Sequence, residues 1–133
     1  MWFQVDPRSP TPVYQQVVEG VKEAIAKGLL DCGDRMPSVR ELATRMTLNH
    51  NTVAKAYQEL EREHVIEVIR GRGTFVAQPR PTPDRAERIQ ALSAMVRQML
   101  VEAHYLQMTE EDLRQLFNAA IEAWRAERGR GQA

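Results

Sequence analysis

Apolar residues recur along residues 13–27 at Tyr14, Val17, Val18, Val21 and Ile25, the three- and four-residue steps of an amphipathic helix. Gly28 supplies a stop for it. Leu29 and Leu30 then lead into Asp31-Cys32-Gly33-Asp34, which reads as a turn. Upstream, Trp2-Phe3-Gln4-Val5 reads as a short strand-like or packing segment, followed by the breakers Pro7, Pro10 and Pro12. A second helix is predicted to start sharply at Pro37-Ser38-Val39-Arg40-Glu41, because Ser38 can cap the backbone while Glu41 reaches back to complete a capping box. Leu42, Ala43 and Met46 give that helix one buried side, and Thr47 and Leu48 make a turn. Asn49 is a good N-cap for a third helix with Val53, Ala56, Tyr57 and Leu60 on its inner face.

After His64 the period changes from helical to extended. Val65 to Ile69 and Thr74 to Ala77 are β-branched or apolar runs joined by Arg70-Gly71-Arg72-Gly73, a hairpin with a basic, flexible tip. Helix, short helix, tight turn, helix and hairpin is the order of a winged helix-turn-helix, expected over residues 1–78. Alternate prolines in Pro79-Arg80-Pro81-Thr82-Pro83 deny residues 79–84 a helix and favour a stiff extended linker. Residues 85–133 are predicted to be helical. Ile89, Leu92, Val96, Met99, Ala103 and Leu106 alternate steps of three and four, the seam of a heptad. Thr109 and Asp112 can cap a further helix whose Leu113, Leu116, Phe117, Ala120, Ile121 and Trp124 lie on one stripe, with a frayed tail expected from Gly129. The predicted fold is thus mostly α with a small β-hairpin wing, and a C-terminal helical hairpin that dimerises through Ile89, Leu92, Val96, Met99, Ala103, Leu106, Leu113, Phe117 and Trp124.

Composition narrows the function. No apolar run nears the roughly 20 residues that span a bilayer, and the N-terminus lacks the basic-then-apolar order of a signal peptide, so a cytoplasmic protein without a membrane partner is expected. One cysteine, Cys32, excludes an intrachain disulfide and a thiolate-rich zinc site. Asp31 and Asp34 beside it oppose thiolate formation, which makes it a passive turn residue. His50, His64 and His104 lack metal-ligand spacing and no nucleophile–base pair can be read, so neither an enzyme nor a cofactor is expected.

The 18 basic and 18 acidic side chains cancel, yet they are segregated. Residues 35–55 hold Arg35, Arg40, Arg45, His50 and Lys55 against Glu41 alone, while residues 59–67 hold Glu59, Glu61, Glu63 and Glu67 against Arg62. A local basic face can bind phosphate whatever the total charge. The N-terminal end of a helix in a major groove reaches base edges, and here that end is Asn49-His50-Asn51-Thr52. Asn49 is needed as the cap, so base readout falls to His50, Asn51 and Thr52, with Lys55 on a phosphate. Ser38 and Arg40 in the preceding helix face the same groove. Arg70 and Arg72 flank the tip, where Gly71, Gly73 and the adjoining Thr74 permit close approach to a phosphate or entry into a minor groove.

Taken in order, Pro12-Val13-Tyr14-Gln15-Gln16, Gly28-Leu29-Leu30, Met36-Pro37-Ser38-Val39-Arg40-Glu41-Leu42-Ala43, Asn51-Thr52-Val53, Ala56-Tyr57 with Leu60, and Gly71-Arg72-Gly73-Thr74-Phe75-Val76 resemble the GntR family of bacterial regulators. The resemblance covers about residues 10 to 77. It implies a winged-helix head, dimeric recognition of a double-stranded operator and usually repression. Two positions depart from the pattern. Thr47-Leu48-Asn49-His50 stands where the family turn commonly reads Gly-Val-Ser-Arg, and Cys32 replaces the proline before Gly33. The short block after the linker, together with Trp2 to Asp6, Ser9, Pro12 and Tyr14, resembles the YtrA-type subgroup, whose members often control neighbouring transporter genes. One monomer reads too short a site to be specific in a genome, so a homodimer on an inverted repeat is expected. A winged-helix module that binds protein without specific DNA binding is the alternative. A small-molecule effector between Met95, Met99, Met108, Phe117 and Trp124 is the weaker reading of a stripe that packing alone explains.

Overall fold

A computed structural model of the chain describes residues 2–132, with the side chains of residues 130–132 left aside. It divides into two compact units, one built from residues up to 79 together with those from 127 onward, the other from Arg80–Ala126.

In the first unit, α1 (Val13–Ala26), α2 (Val39–Met46) and α3 (His50–Arg62) surround one side of a three-stranded antiparallel sheet of β1 (Arg35–Met36), β2 (Ile66–Ile69) and β3 (Gly73–Val76), in the order β1-β3-β2. The helices form where the spacing predicts. Each buries one stripe: Val17, Val18, Val21 and Ala24 from α1, Leu42 and Ala43 from α2, and Val53, Ala56, Tyr57 and Leu60 from α3. Met36, Ile66 and Val76 close the core from the sheet. The hairpin is one residue shorter at its outer ends than expected, starting at Ile66 and ending at Val76. The strand β1 is not legible as one, because two residues cannot display an alternating pattern. Trp2-Phe3-Gln4-Val5 is a packing segment and not a strand: Trp2, Phe3 and Val5 lie half-buried against the core. Gln16 pins the Asp6–Thr11 turn, its amide nitrogen donating to the carbonyls of Asp6 and Thr11 and its oxygen accepting from the Asp6 N–H.

Helix ends are set by left-handed residues. Gly28 (φ 80°) ends α1 as predicted, but Thr47 (φ 55°) ends α2 and His64 (φ 61°) ends α3 with no glycine to signal it. In each case the next residue's N–H folds back to a carbonyl five positions earlier: Leu29 to Ala24, Leu48 to Ala43, Val65 to Leu60.

Residues 77–84 carry neither helix nor strand. Beyond them lie α4 (Arg85–Tyr105) and α5 (Glu110–Gln132). Gln107 (φ 59°) makes the same left-handed stop after α4, and Thr109 and Asp112 form the expected reciprocal cap, each backbone N–H donating to the other side chain at 3.0 Å. Two features differ from the sequence reading. The α5 backbone stays helical through Gln132 instead of fraying from Gly129; a glycine costs a helix only about 1 kcal/mol. Within Arg80–Ala126, burial is confined to the stretch around the α4–α5 junction, where Ala103 is buried and Met108 and Leu113 are half-buried. Ala103 and Leu113, expected on the dimer seam, are thus covered at this elbow.

Candidate nucleic-acid interface

The α2–turn–α3 motif is held by local chemistry. Ser38 Oγ accepts the Glu41 N–H at 3.1 Å and Glu41 Oε1 accepts the Ser38 N–H at 3.4 Å, the capping box expected from their spacing. This places Arg40 in the first turn of α2 with its side chain in solvent. Asn49 Oδ1 accepts the Asn51 N–H at 2.8 Å, so its side chain is engaged as the α3 cap. His50 and Asn51 are exposed, whereas Thr52 is half-buried. The buried Tyr57 ties the two helices together: its hydroxyl donates to the Pro37 carbonyl at 2.7 Å, immediately before the α2 cap. Burial, with the Glu41 carboxylate second, pushes the Tyr57 phenol well above its ordinary pKa, so it stays a donor across the working pH range.

Helical geometry sorts the outward residues. At about 100° per residue, Asn51, Lys55, Gln58 and Arg62 lie opposite the buried Val53, Ala56, Tyr57 and Leu60. Lys55 is steered, with Nζ 4.0 Å from the centre of the Tyr14 ring on α1. Tyr14, Gln15, Lys55, Gln58, Glu59 and Arg62 line a shallow open groove between these helices. Arg62 is spent on Glu59, donating from Nε to Oε2 at 3.0 Å and from Nη2 to Oε1, and this holds the Glu59 carboxyl below its usual range.

At the wing, the Arg72 N–H donates to the Ile69 carbonyl at 2.9 Å, with Gly71 at φ 81° in the third position of the turn, where an L side chain is strained. Arg70, Gly71 and Arg72 are exposed, while Gly73 and Thr74 are half-buried in β3. The cations of residues 13–76 fall into two sets. Lys22 pairs with Glu63 at 2.8 Å, Lys27 with Glu23 at 3.1 Å, Arg45 with Glu41 at 4.0 Å, and Arg62 with Glu59. Arg35, Arg40, Lys55, Arg70 and Arg72 make no ion pair among the described residues.

The structure therefore brings Ser38, Arg40 and the Asn49–Lys55 stretch into one rigid motif, and gathers Arg70 to Thr74 on the hairpin. Three residues here escape sequence reasoning. Gln58 lies seven positions beyond Asn51, a spacing that marks the same helix face. Tyr14 reads in the sequence only as core, and Arg35 only as part of a basic run.

Comparison with known proteins gives one answer. The pattern of the bacterial regulatory proteins, gntR family, matches residues 13–76. The HTH-type transcriptional repressor YtrA of Bacillus subtilis (strain 168) is 44% identical over 111 residues, covering 84% of this chain and 85% of that protein. Among solved structures, a transcriptional antiterminator from Listeria monocytogenes EGD-e superposes with a TM-score of 0.80 at 32% identity, covering 94% of this chain and 93% of its own. The AraR DNA-binding domain, in complex with operator ORX1, superposes with a TM-score of 0.50 at 27% identity, covering 56% of this chain and 99% of its own. Its relatives are transcription regulators, a non-enzymatic family, and the chain is itself a DNA-binding transcription regulator of the GntR family, of the YtrA type.

Proposed function

We propose that the protein is a repressor that binds an inverted-repeat operator as a homodimer, in a compact head (residues 1–78) joined by a linker (79–84) to dimerising helices (85–133). Base edges are read by His50, Asn51 and Thr52 at the start of α3. Arg40 reaches the same groove from α2, Lys55 and the N–H groups around Ser38 and Asn49 hold phosphates, and Arg70 and Arg72 carry the wing against the duplex, with Gly71, Gly73 and Thr74 allowing close approach. The observation that carries this reading is the division of charge. Among the described residues, Arg40, Lys55, Arg70 and Arg72 pair with no acid on the elements that would meet DNA, while Lys22 and Arg62 are neutralised by Glu63 and Glu59. A protein-docking surface has no need of that segregation. Support also comes from the relatives, YtrA being named a repressor and AraR being bound to its operator.

Dimerisation is supported by the second block. Ile89, Leu92, Val96, Met99, Leu106, Phe117 and Trp124 are all more than a third exposed in the single chain, an apolar display that water disfavours and a second copy would cover. The regulated genes, on this account, lie beside its own, transporter genes among them. A mobility-shift titration against the DNA upstream of its own gene tests the proposal. Retardation that survives excess unrelated duplex, and is lost on Arg40→Ala, is expected; equal competition by unrelated duplex would overturn it.

A further inference from the structure

The outward face of the wing carries an arginine beyond Arg70 and Arg72. Arg35 precedes the buried Met36 in β1 and is exposed. Pairing sets it beside Phe75 of β3, with Glu67 of β2 next across the sheet. Side chains alternate between the faces of a strand, so Arg35 shares its face with Phe75 and with Gly73, two residues nearer the hairpin tip. Its guanidinium lies there: a Cβ built on Gly73 would sit 3.6 Å from both Nε and Nη2 of Arg35. Because Gly73 has no side chain, the flat guanidinium can rest along the strand and carry its charge toward the turn of Arg70 and Arg72. Glu67 stands on the same rung of the sheet, yet the two form no ion pair.

Three arginines from two separate stretches of chain thus share one small sheet, Arg35 beside Gly73 and Arg70 and Arg72 at the hairpin tip, with no carboxylate paired to any of them among the described residues. Unpaired charges of one sign on one small surface attract a polyanion. We infer that Arg35 is a third phosphate-binding arginine of the wing, gripping the duplex backbone from the β1 side. The inference rests on the reading that the wing lies against DNA.

The test is the salt dependence of binding by the full chain, on the duplex upstream of its own gene and on an unrelated duplex of equal length. Arg35→Gln keeps most of the stem that packs on Gly73 and removes the charge. The slope of log affinity against log salt should shrink by about 0.9 for each head bound. Affinity should fall by a similar factor on both duplexes, because a phosphate contact is blind to sequence. Arg35→Lys should restore the slope. An Arg35→Gln slope equal to wild type overturns the inference, and so does weaker binding at unchanged slope with a lowered melting temperature, the mark of a packing role. Arg40→Ala separates this from the underlying reading. If Arg40→Ala abolishes preference for the upstream duplex while Arg35→Gln leaves the slope intact, only the inference about Arg35 falls; if wild type binds neither duplex, both fall.

Discussion

Tyr57 couples stability to recognition through one hydroxyl. Removing it in Tyr57→Phe leaves the Pro37 carbonyl without its donor, which costs about 1–2 kcal/mol of unfolding free energy, measurable by urea denaturation. The raised phenol pKa adds a pH signature. Above about pH 10 the unfolded chain's tyrosine loses its proton while the folded one keeps it, so stability is level through neutral pH and falls in alkali. Tyr57→Phe should abolish that component of the alkaline decline. Gly20 makes a second residue-scale case. A Cβ there would intrude into the Phe3 ring, so Gly20→Ala sets an overpacking cost of about 1–3 kcal/mol against a gain of about 1 kcal/mol in helix propensity. Net destabilisation is expected alone, and stabilisation in a Phe3→Ala background, by thermal melts of the four variants. These pairings were invisible in the sequence, because Phe3, Gly20, Pro37 and Tyr57 meet only once the chain has folded.

Among the elements, what repeats was legible, and so was where the head helices stop, but not the backbone conformation that stops them. The helices of the head and their caps at Ser38 and Asn49 followed from periodicity and local hydrogen-bonding chemistry, which need no tertiary information. Three of four left-handed helix ends fall on Thr47, His64 and Gln107, where only the backbone bonds of the finished turn hold an L residue in a conformation that costs roughly 1–2 kcal/mol. Thr47→Gly and His64→Gly should therefore each stabilise the head, by about 0.5–1 kcal/mol after the glycine's extra unfolded-state entropy is subtracted. Calorimetric melting checks this, and operator affinity should not change with His64→Gly, which lies at the far end of α3 from Asn51. The two-residue β1 escaped notice for the same physical reason: its pairing with β3 is set by the hairpin, not by its own pattern. That is why Arg35 reads as one more surface charge until the sheet register brings it to Gly73.

At the scale of the whole molecule, the heptad seam of α4 announced that a stripe roughly 25 Å long requires cover, but not what covers it. Apart from Ala103, its residues remain open in the single chain, Leu92 at 59% and Leu106 at 70% exposure. A carboxylate placed on that stripe would be desolvated at a dimer interface with no partner, a penalty of about 3–5 kcal/mol. Val96→Glu is accordingly expected to shift sedimentation from dimer to monomer, to weaken operator binding, and to leave the melting of the head unchanged.

On the proposed function, paired heads read DNA through α3 and grip it through the wing. Hydroxyl-radical footprinting of the upstream DNA tests it most directly, with wild type beside Asn51→Ala. Two protected half-sites related by inversion and centred a whole number of helical turns apart are expected, the protection fading with Asn51→Ala at protein concentrations that saturate wild type. A single protected block without two-fold symmetry, or a footprint that Asn51→Ala leaves unaltered, would contradict it.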